Sequence, residues 1–447
     1  MLRALYSALW WLIAPLAVVR LLWRSRREIG YRQHIGERFG WYGEAAAQPG
    51  ARPLIWIHAV SVGETRAAGP LIEALLARYP DHGVLLTHMT PTGRATSEQL
   101  FGERVIRCYV PYDMPGAIRR FLRHYRPRVG LVMETEVWPN LIAVCAEARV
   151  PLLLANARMS ARSLARALRF GAATRPVFGG FTRVLAQSDA DAERLRMLGA
   201  MEVDVLGNLK FDMVPPPHLL ELGRRWRARF GARPVWLAAS TRDGEEALIL
   251  QARRALGIDA LLILVPRHPQ RFGEVAALLD QQGLRHVRRS QWPDGDTPLP
   301  AEVDVLLGDS MGEMTAYYAA CDAAFIGGSL LPLGGQNLIE ACAAGAPVVF
   351  GPHMFNFSQA SADALEAGAA CRVTDALELG AEMRSLLRDT ARRDSMRTCA
   401  MLFASQHQGA TARTVAALAP WLERAGAPGN PGQMDEGGAA FAAALDQ

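Results

Sequence analysis

Ala323 to Phe350 reads AAFIGGSLLPLGGQNLIEACAAGAPVVF, and its punctuation decides the fold. An apolar run stops at Gly327-Gly328-Ser329, and a loop carries Gly334-Gly335. A helical pattern opens at Asn337 with Glu340 one turn in, and another apolar run begins at Pro347. Short apolar runs joined by a helix describe parallel strands covered on both faces. Glycines at a strand end before a helix also suit a phosphate, cradled by backbone N–H groups. A tight loop before a capped helix satisfies the same pattern.

The alternation continues in both directions. In the second half, strands are expected near Val235–Ala239, Leu261–Val265, Val303–Leu307, Ala323–Ile326 and Pro347–Phe350. In the first half they fall near Leu54–Ala59, Val84–His88, Val105–Val110, Val129–Met133, Leu152–Ala155, Thr182–Ala186 and Val203–Leu206. Pro215-Pro216-Pro217 separates the halves and reads as a linker. The expectation is an α/β protein with two doubly wound domains facing across a cleft. The boundaries read as 1–27 for an N-terminal segment, 28–213 for the first domain, 214–230 for the linker, 231–426 for the second domain with C-terminal helices, and 427–447 for a disordered tail.

At 447 residues, half of them hydrophobic, the chain has ample material for two cores. Its formal net charge of +5 fits an anionic substrate, an acidic membrane or nucleic acid equally well. The basic residues are arginines throughout, apart from Lys210. Six scattered cysteines form no C-x-x-C pair, which argues against a zinc site or a disulfide framework. Ala4 to Trp23 is apolar over nearly the ~20 residues a spanning helix needs, and Arg24, Arg26, Arg27 and Arg32 follow. The segment reads as a membrane anchor, spanning or interfacial, with the rest of the chain on the cytoplasmic side.

Polar residues recur at strand ends. Glu64 follows the first strand in WIHAVSVGET, where it suits either the helix dipole or a catalytic base. Glu134 and Glu136 follow another strand, and Asn156 and Arg158 the next; Lys210 sits in GNLKFD after the last strand of that half. In the second half, Arg267 and His268 end a strand in VPRHP, and Met311-Gly312-Glu313 follows another. Asp189/Asp191 sit in a helix N-cap context and Asp294/Asp296 in a Pro/Gly-flanked loop, and both pairs read as structural.

Taken together, HAVSVGET, METEVWPNL, NARMS, GNLKFD, VPRHP, DSMGEM and GGSLLPLGGQNLIEA resemble the bacterial 3-deoxy-D-manno-octulosonic acid (Kdo) transferases, from the N-terminal segment to about Phe357. The resemblance implies a GT-B fold and an inverting, metal-independent inner-membrane enzyme without cofactor or nucleic-acid partner. Such an enzyme moves Kdo from CMP-Kdo to the tetraacyl lipid A precursor. It further implies Glu64 as catalytic base, supported by Glu134 and Lys210. CMP contacts are implied at Arg267, His268, Met311, Gly312, Glu313, Asn337, Leu338, Ile339 and Glu340. Two other readings stand beside it: a GT-B transferase or epimerase using a UDP-sugar, and a membrane-tethered nucleotide or lipid sensor.

Overall fold

The computed structural model describes residues 2–26, 28–42, 52–293, 295 and 297–423. The expected tail, and the pair Asp294/Asp296, lie outside them. The first sheet comprises β1 (Leu54–His58), β2 (Gly83–His88), β3 (Ile106–Tyr109), β4 (Pro127–Met133), β5 (Leu152–Ala157), β6 (Arg183–Ala186) and β7 (Val203–Val205). All its neighbours pair in parallel, in the order β3-β2-β1-β4-β5-β6-β7. The second comprises β8 (Val235–Thr241), β9 (Leu261–Pro266), β10 (His286–Arg288), β11 (Val305–Leu307), β12 (Ala323–Ile326), β13 (Val348–Phe350) and β14 (Ala370–Arg372). It is parallel too, ordered β10-β11-β9-β8-β12-β13-β14.

The continuous apolar runs follow from burial on both faces. In β1, Leu54 and Trp56 enter one core while Ile55 and Ile57 enter the opposite one. In β8, Val235, Leu237 and Ala239 face one layer, and Trp236 and Ala238 the other. Side chains alternate across a strand, so both sets must be apolar when helices cover both faces. Each such side chain taken from water contributes about 1.5–3 kcal/mol. Glycine at 130 in β4 makes room for the Trp56 ring, which a Cβ there would meet at 2.6 Å.

Three boundaries differ from expectation. The stretch expected as a linker holds a helix, Pro217–Arg229, with a proline in its first turn. Proline suits that position because its fixed φ is already helical and its missing N–H would be unpaired there. The helix docks into the second domain, where Trp226 is buried with its ring 5.1 Å from that of Tyr317. At the other end, helix Ala410–Leu422 leaves the second domain and returns to the first. Its Ala410, Val415, Leu418 and Leu422 join the core of Ile55, Leu71 and Leu75. Tyr79 donates to Glu423 at 3.2 Å, and Asp212 accepts from the Gly409 amide at 2.5 Å, close to the start of that helix.

The third difference concerns the N-terminus. Leu2–Arg24 is one helix running through Pro15, and among the described residues it is the one long and apolar enough to cross a membrane. It is not detached. Arg3 pairs with Glu147 at 2.8 Å, Ser7 donates to Asn140 Oδ1 at 2.9 Å, and Trp10 stacks on Tyr112. Ala14 and Leu21 are buried on the same side. These positions are spaced four, three, four and seven apart, which is one helix face. The opposite face leaves Leu5, Leu12, Leu16, Val19 and Trp23 at least 60% exposed.

Candidate active site

In each sheet the order of strands reverses direction at one point, and ligands bind there, beyond the strands' carboxyl ends. In the first sheet that point lies between β1 and β4. Glu64 follows β1 and Glu134 follows β4. In the second it lies between β8 and β12, which release Thr241-Arg242 and Gly327-Gly328-Ser329.

Glu64 stands in the first turn of helix Val62–Ala67, whose N-cap Ser61 accepts from the Glu64 amide. Its carboxylate turns back to accept from the Val60 amide at 2.5 Å, as a capping box does one residue further on. Burial pushes its pKa up to about 7, and the nearby carboxylates of Glu134 and Glu136 add to the rise. The Val60 amide and Lys210 pull the other way. A carboxylate that titrates near neutrality is both ionised often enough and basic enough to take a proton.

Glu134 has the opposite balance. Burial raises its pKa, but the Lys210 ammonium, 2.8 Å from Oε1, and the Arg158 charge outweigh burial and hold it below the usual range. Its φ of +58° lies in the left-handed region, an uncommon conformation for a non-glycine residue, held by a Glu134 N–H bond to the Ala155 carbonyl at 2.9 Å. Asn156, at the end of β5, has φ +52° and accepts from the Leu209 amide at 3.0 Å, which anchors the Lys210 turn. Two neighbouring carboxylates with pKa values pushed apart divide naturally into a base and a permanently charged partner.

The second domain supplies a basic rim. Arg267 leaves β9 and donates from Nε to Gln336 Oε1 at 3.2 Å. Burial lowers its pKa, and Arg66 and Arg242 lower it further. His268 follows and is also lowered, by burial and then by Arg242, Arg267 and Arg271. The mutual repulsion of these cations is what a bound anion would relieve. Arg66 belongs to the first domain, and its charge also reaches Glu340, so the two edges face each other. Lys210 likewise lies 5.4 Å from the Phe357 ring centroid, and Arg158 bonds the Asn356 carbonyl.

The remaining expected residues divide. Glu340 is half-buried, accepts from Thr315 at 3.0 Å, and has its pKa raised by burial. Its helix is shorter than expected, Ile339–Ala343, and the Asn337 side chain accepts from the Ile339 amide. Leu338 and Ile339 are buried in the core, leaving only their backbone to serve a ligand. Met311 is exposed and Gly312 has φ +83°. Glu313 is engaged by Arg289 at 3.0 Å and accepts from the Ser310 hydroxyl. Asp191 accepts from the Met159 amide and from Ser188 at a helix start, the structural role expected of it.

Four contributors escaped the sequence reading: Arg66, Arg242, Glu245 and Gln336. Glu245 is fully buried and accepts from the amides of Arg242, Gly328, Ser329 and Leu330, with the last two at 3.0 and 3.1 Å. It fixes the glycine loop of β12 to the end of β8. Gly327 is required there, since a Cβ would sit 2.6 Å from the Ser240 carbonyl oxygen. The signal was present: TRDGEE follows β8 as VPRHP follows β9.

Two facing doubly wound sheets, with Glu64, Glu134 and Lys210 gathered at one edge and arginines at the other, have the architecture of the GT-B glycosyltransferase class. A crystal structure of a glycosyltransferase from Rickettsia africae overlays on 84% of this chain and 100% of its own with a TM-score of 0.58 at 13% identity. A putative UDP-N-acetylglucosamine 2-epimerase from Listeria monocytogenes does so on 85% and 99%, with a TM-score of 0.55 at 14% identity. These show the fold, which transferases and epimerases share. Sequence separates them. The family described as 3-deoxy-D-manno-octulosonic-acid transferase matches residues 33–213. The 3-deoxy-D-manno-octulosonic acid transferase of Bordetella pertussis is 49% identical across 92% of this chain and 97% of its own; that of Haemophilus influenzae is 37% identical across 94% and 99%. The chain belongs to the Kdo transferase family, and it is a glycosyltransferase.

Proposed function

We propose that this enzyme transfers Kdo from CMP-Kdo to the tetraacyl lipid A precursor, with inversion and without a metal, at the cytoplasmic face of the inner membrane. The observation that carries the reading is the pairing of Glu64, near-neutral in pKa, with ionised Glu134 across from Arg267. An acceptor hydroxyl is a poor nucleophile until its proton is taken in the transition state, and Glu64 takes it. A base deprotonating the acceptor on the face opposite the departing CMP gives a single displacement, hence inversion. Glu134 stabilises positive charge developing at the anomeric carbon. Lys210 keeps Glu134 ionised and faces the sugar's carboxylate.

On the donor side, Arg267 and Arg242 hold the CMP phosphate, and Glu340 meets the ribose. Arginines are the charges that surround this anion, which supports metal-independent departure of CMP. The exposed apolar face of helix Leu2–Arg24 enters lipid. Its other face is hydrogen-bonded to the domain, which favours an interfacial helix over a spanning one. A spanning helix would carry Glu147 and Asn140 into hydrocarbon with it.

The test is incubation of the purified protein with CMP-Kdo and tetraacyl lipid A precursor, in excess EDTA, with products weighed by mass spectrometry. A mass gain of one or more Kdo units supports the reading. Turnover only with a UDP-sugar, or only after a divalent metal is restored, overturns it.

A further inference from the structure

A cavity of about 510 Å³ lies between helix Leu2–Arg24 and the loops that follow β2, β3 and β4. Its walls are largely apolar, with Trp10, Ile13 and Ala17 from the helix and Met89, Tyr112 and Trp138 from the domain. Its size falls in the range of sites that bury small molecules. These loops leave the same sheet edge that carries Glu64 and Glu134. Trp138 forms part of the wall and donates from Nε1 to Glu136 at 2.8 Å. The cavity therefore lies between the N-terminal helix and loops of the edge that carries Glu64 and Glu134.

Its charge is one-sided. Arg20, Arg24 and Arg38 line it, against one carboxylate, Asp113. Asp113 is already engaged, accepting from the amides of Asn140 and Leu141 at 3.1 and 2.7 Å. Arg38 is 1% exposed, with its guanidinium 3.9 Å over the Tyr109 ring and Nη2 donating to the Met89 carbonyl. Its Nε is buried without a protein partner. A buried donor left unmade is costly, and a phosphate oxygen would satisfy it. An apolar slot with arginines at its wall, beside a helix whose outer face is apolar, matches an anionic amphiphile entering from a bilayer.

We propose that this cavity receives an acyl chain of the phosphorylated lipid acceptor, with Arg20, Arg24 and Arg38 drawing its phosphate. The proposal rests on the lipid-acceptor reading above and assigns where that lipid is gripped. Binding there brings the head sugar to the Glu64 edge while the remaining chains stay in the membrane.

Two variants of the full-length protein fill the cavity from the helix, Ala17→Phe and Ile13→Trp. Each is assayed on the tetraacyl phosphorylated disaccharide and on the same disaccharide stripped of its acyl chains. The expected result is a fall of about tenfold or more in the ratio of kcat/KM, acylated over deacylated, equivalent to losing roughly two buried methylenes. An unchanged ratio in both variants overturns the proposal. In parallel, an acceptor analogue with a photoreactive diazirine in one acyl chain is crosslinked to the unaltered protein and mapped by mass spectrometry. Adducts at Ile13, Ala17, Met89 or Trp138 are expected; adducts confined to Leu5, Leu12 and Val19 on the outer face overturn it. If the unaltered protein transfers Kdo to neither acceptor, the transfer reaction itself is wrong, and the crosslink map still decides the cavity.

Discussion

Lys210, the only lysine in the chain, donates to Glu134 Oε1 at 2.8 Å, and both side chains are more than four-fifths buried. Removing one partner of a buried ion pair leaves the other charge uncompensated, at about 3–5 kcal/mol. Lys210→Met should therefore destabilise the protein by a few kcal/mol at pH 7, read by chemical denaturation. Glu134 has a depressed folded pKa, so its contribution is present above the ordinary carboxylate value and is lost as pH falls through the folded one. The gap between wild type and variant should accordingly narrow as pH drops below about 4.5. A gap independent of pH would contradict the charge pairing.

The proposed role of Glu64 fixes a pH dependence of catalysis. In that role it must be ionised, so kcat/KM should rise with pH through an apparent pKa of about 7. Glu136 contributes to that elevation by its charge. Glu136→Gln should move this limb to lower pH, as read from full pH–rate profiles. A limb that stays in place would show that another group controls it.

The donor rim predicts a separable loss. Arg267→Ala should weaken CMP binding by roughly 1.5–3 kcal/mol, the scale of a hydrogen bond to a charged group. Calorimetric titration with CMP measures this directly. Arg267→Lys should recover only part of it, because an ammonium lacks the guanidinium's planar fork. Full affinity in the alanine variant would remove Arg267 from the phosphate site.

Much of this was legible in the sequence because burial on both sheet faces forces unbroken apolar runs. Strand Ala323–Ile326 matches the reading to the residue. Two edge strands, His286–Arg288 and Ala370–Arg372, were invisible: each is three residues long, partly exposed and lacking an apolar run. Strand ends pointed to Glu64, Glu134, Lys210 and Arg267 because chemistry gathers at one edge of a parallel sheet. Glu245 was hidden because its work is tertiary, holding a loop more than eighty residues away. The return of helix Ala410–Leu422 to the first domain was equally hidden, since amphipathicity shows that a helix packs but not against what.

Glu64 also makes a prediction about stability. Its folded pKa is raised, so the stability tied to its protonated form is fully present below the unfolded value and is lost as pH rises through about 7. Ionising it in place costs about 3 kcal/mol by that shift. Glu64→Gln can still accept from the Val60 amide but carries no charge. Its Tm should match wild type near pH 5 and exceed it at pH 8. A variant less stable at both would show that the carboxylate serves chiefly as a helix cap.

The proposed role of Glu64 as the proton acceptor in Kdo transfer is tested most directly by the single-turnover rate of Glu64→Gln at saturating CMP-Kdo and acceptor. Saturation removes any effect on binding, so the rate reports the chemical step alone. The expected result is a fall of roughly 10²–10⁴-fold, the contribution of a positioned general base. A rate close to wild type, in a variant that binds CMP-Kdo normally, would contradict it.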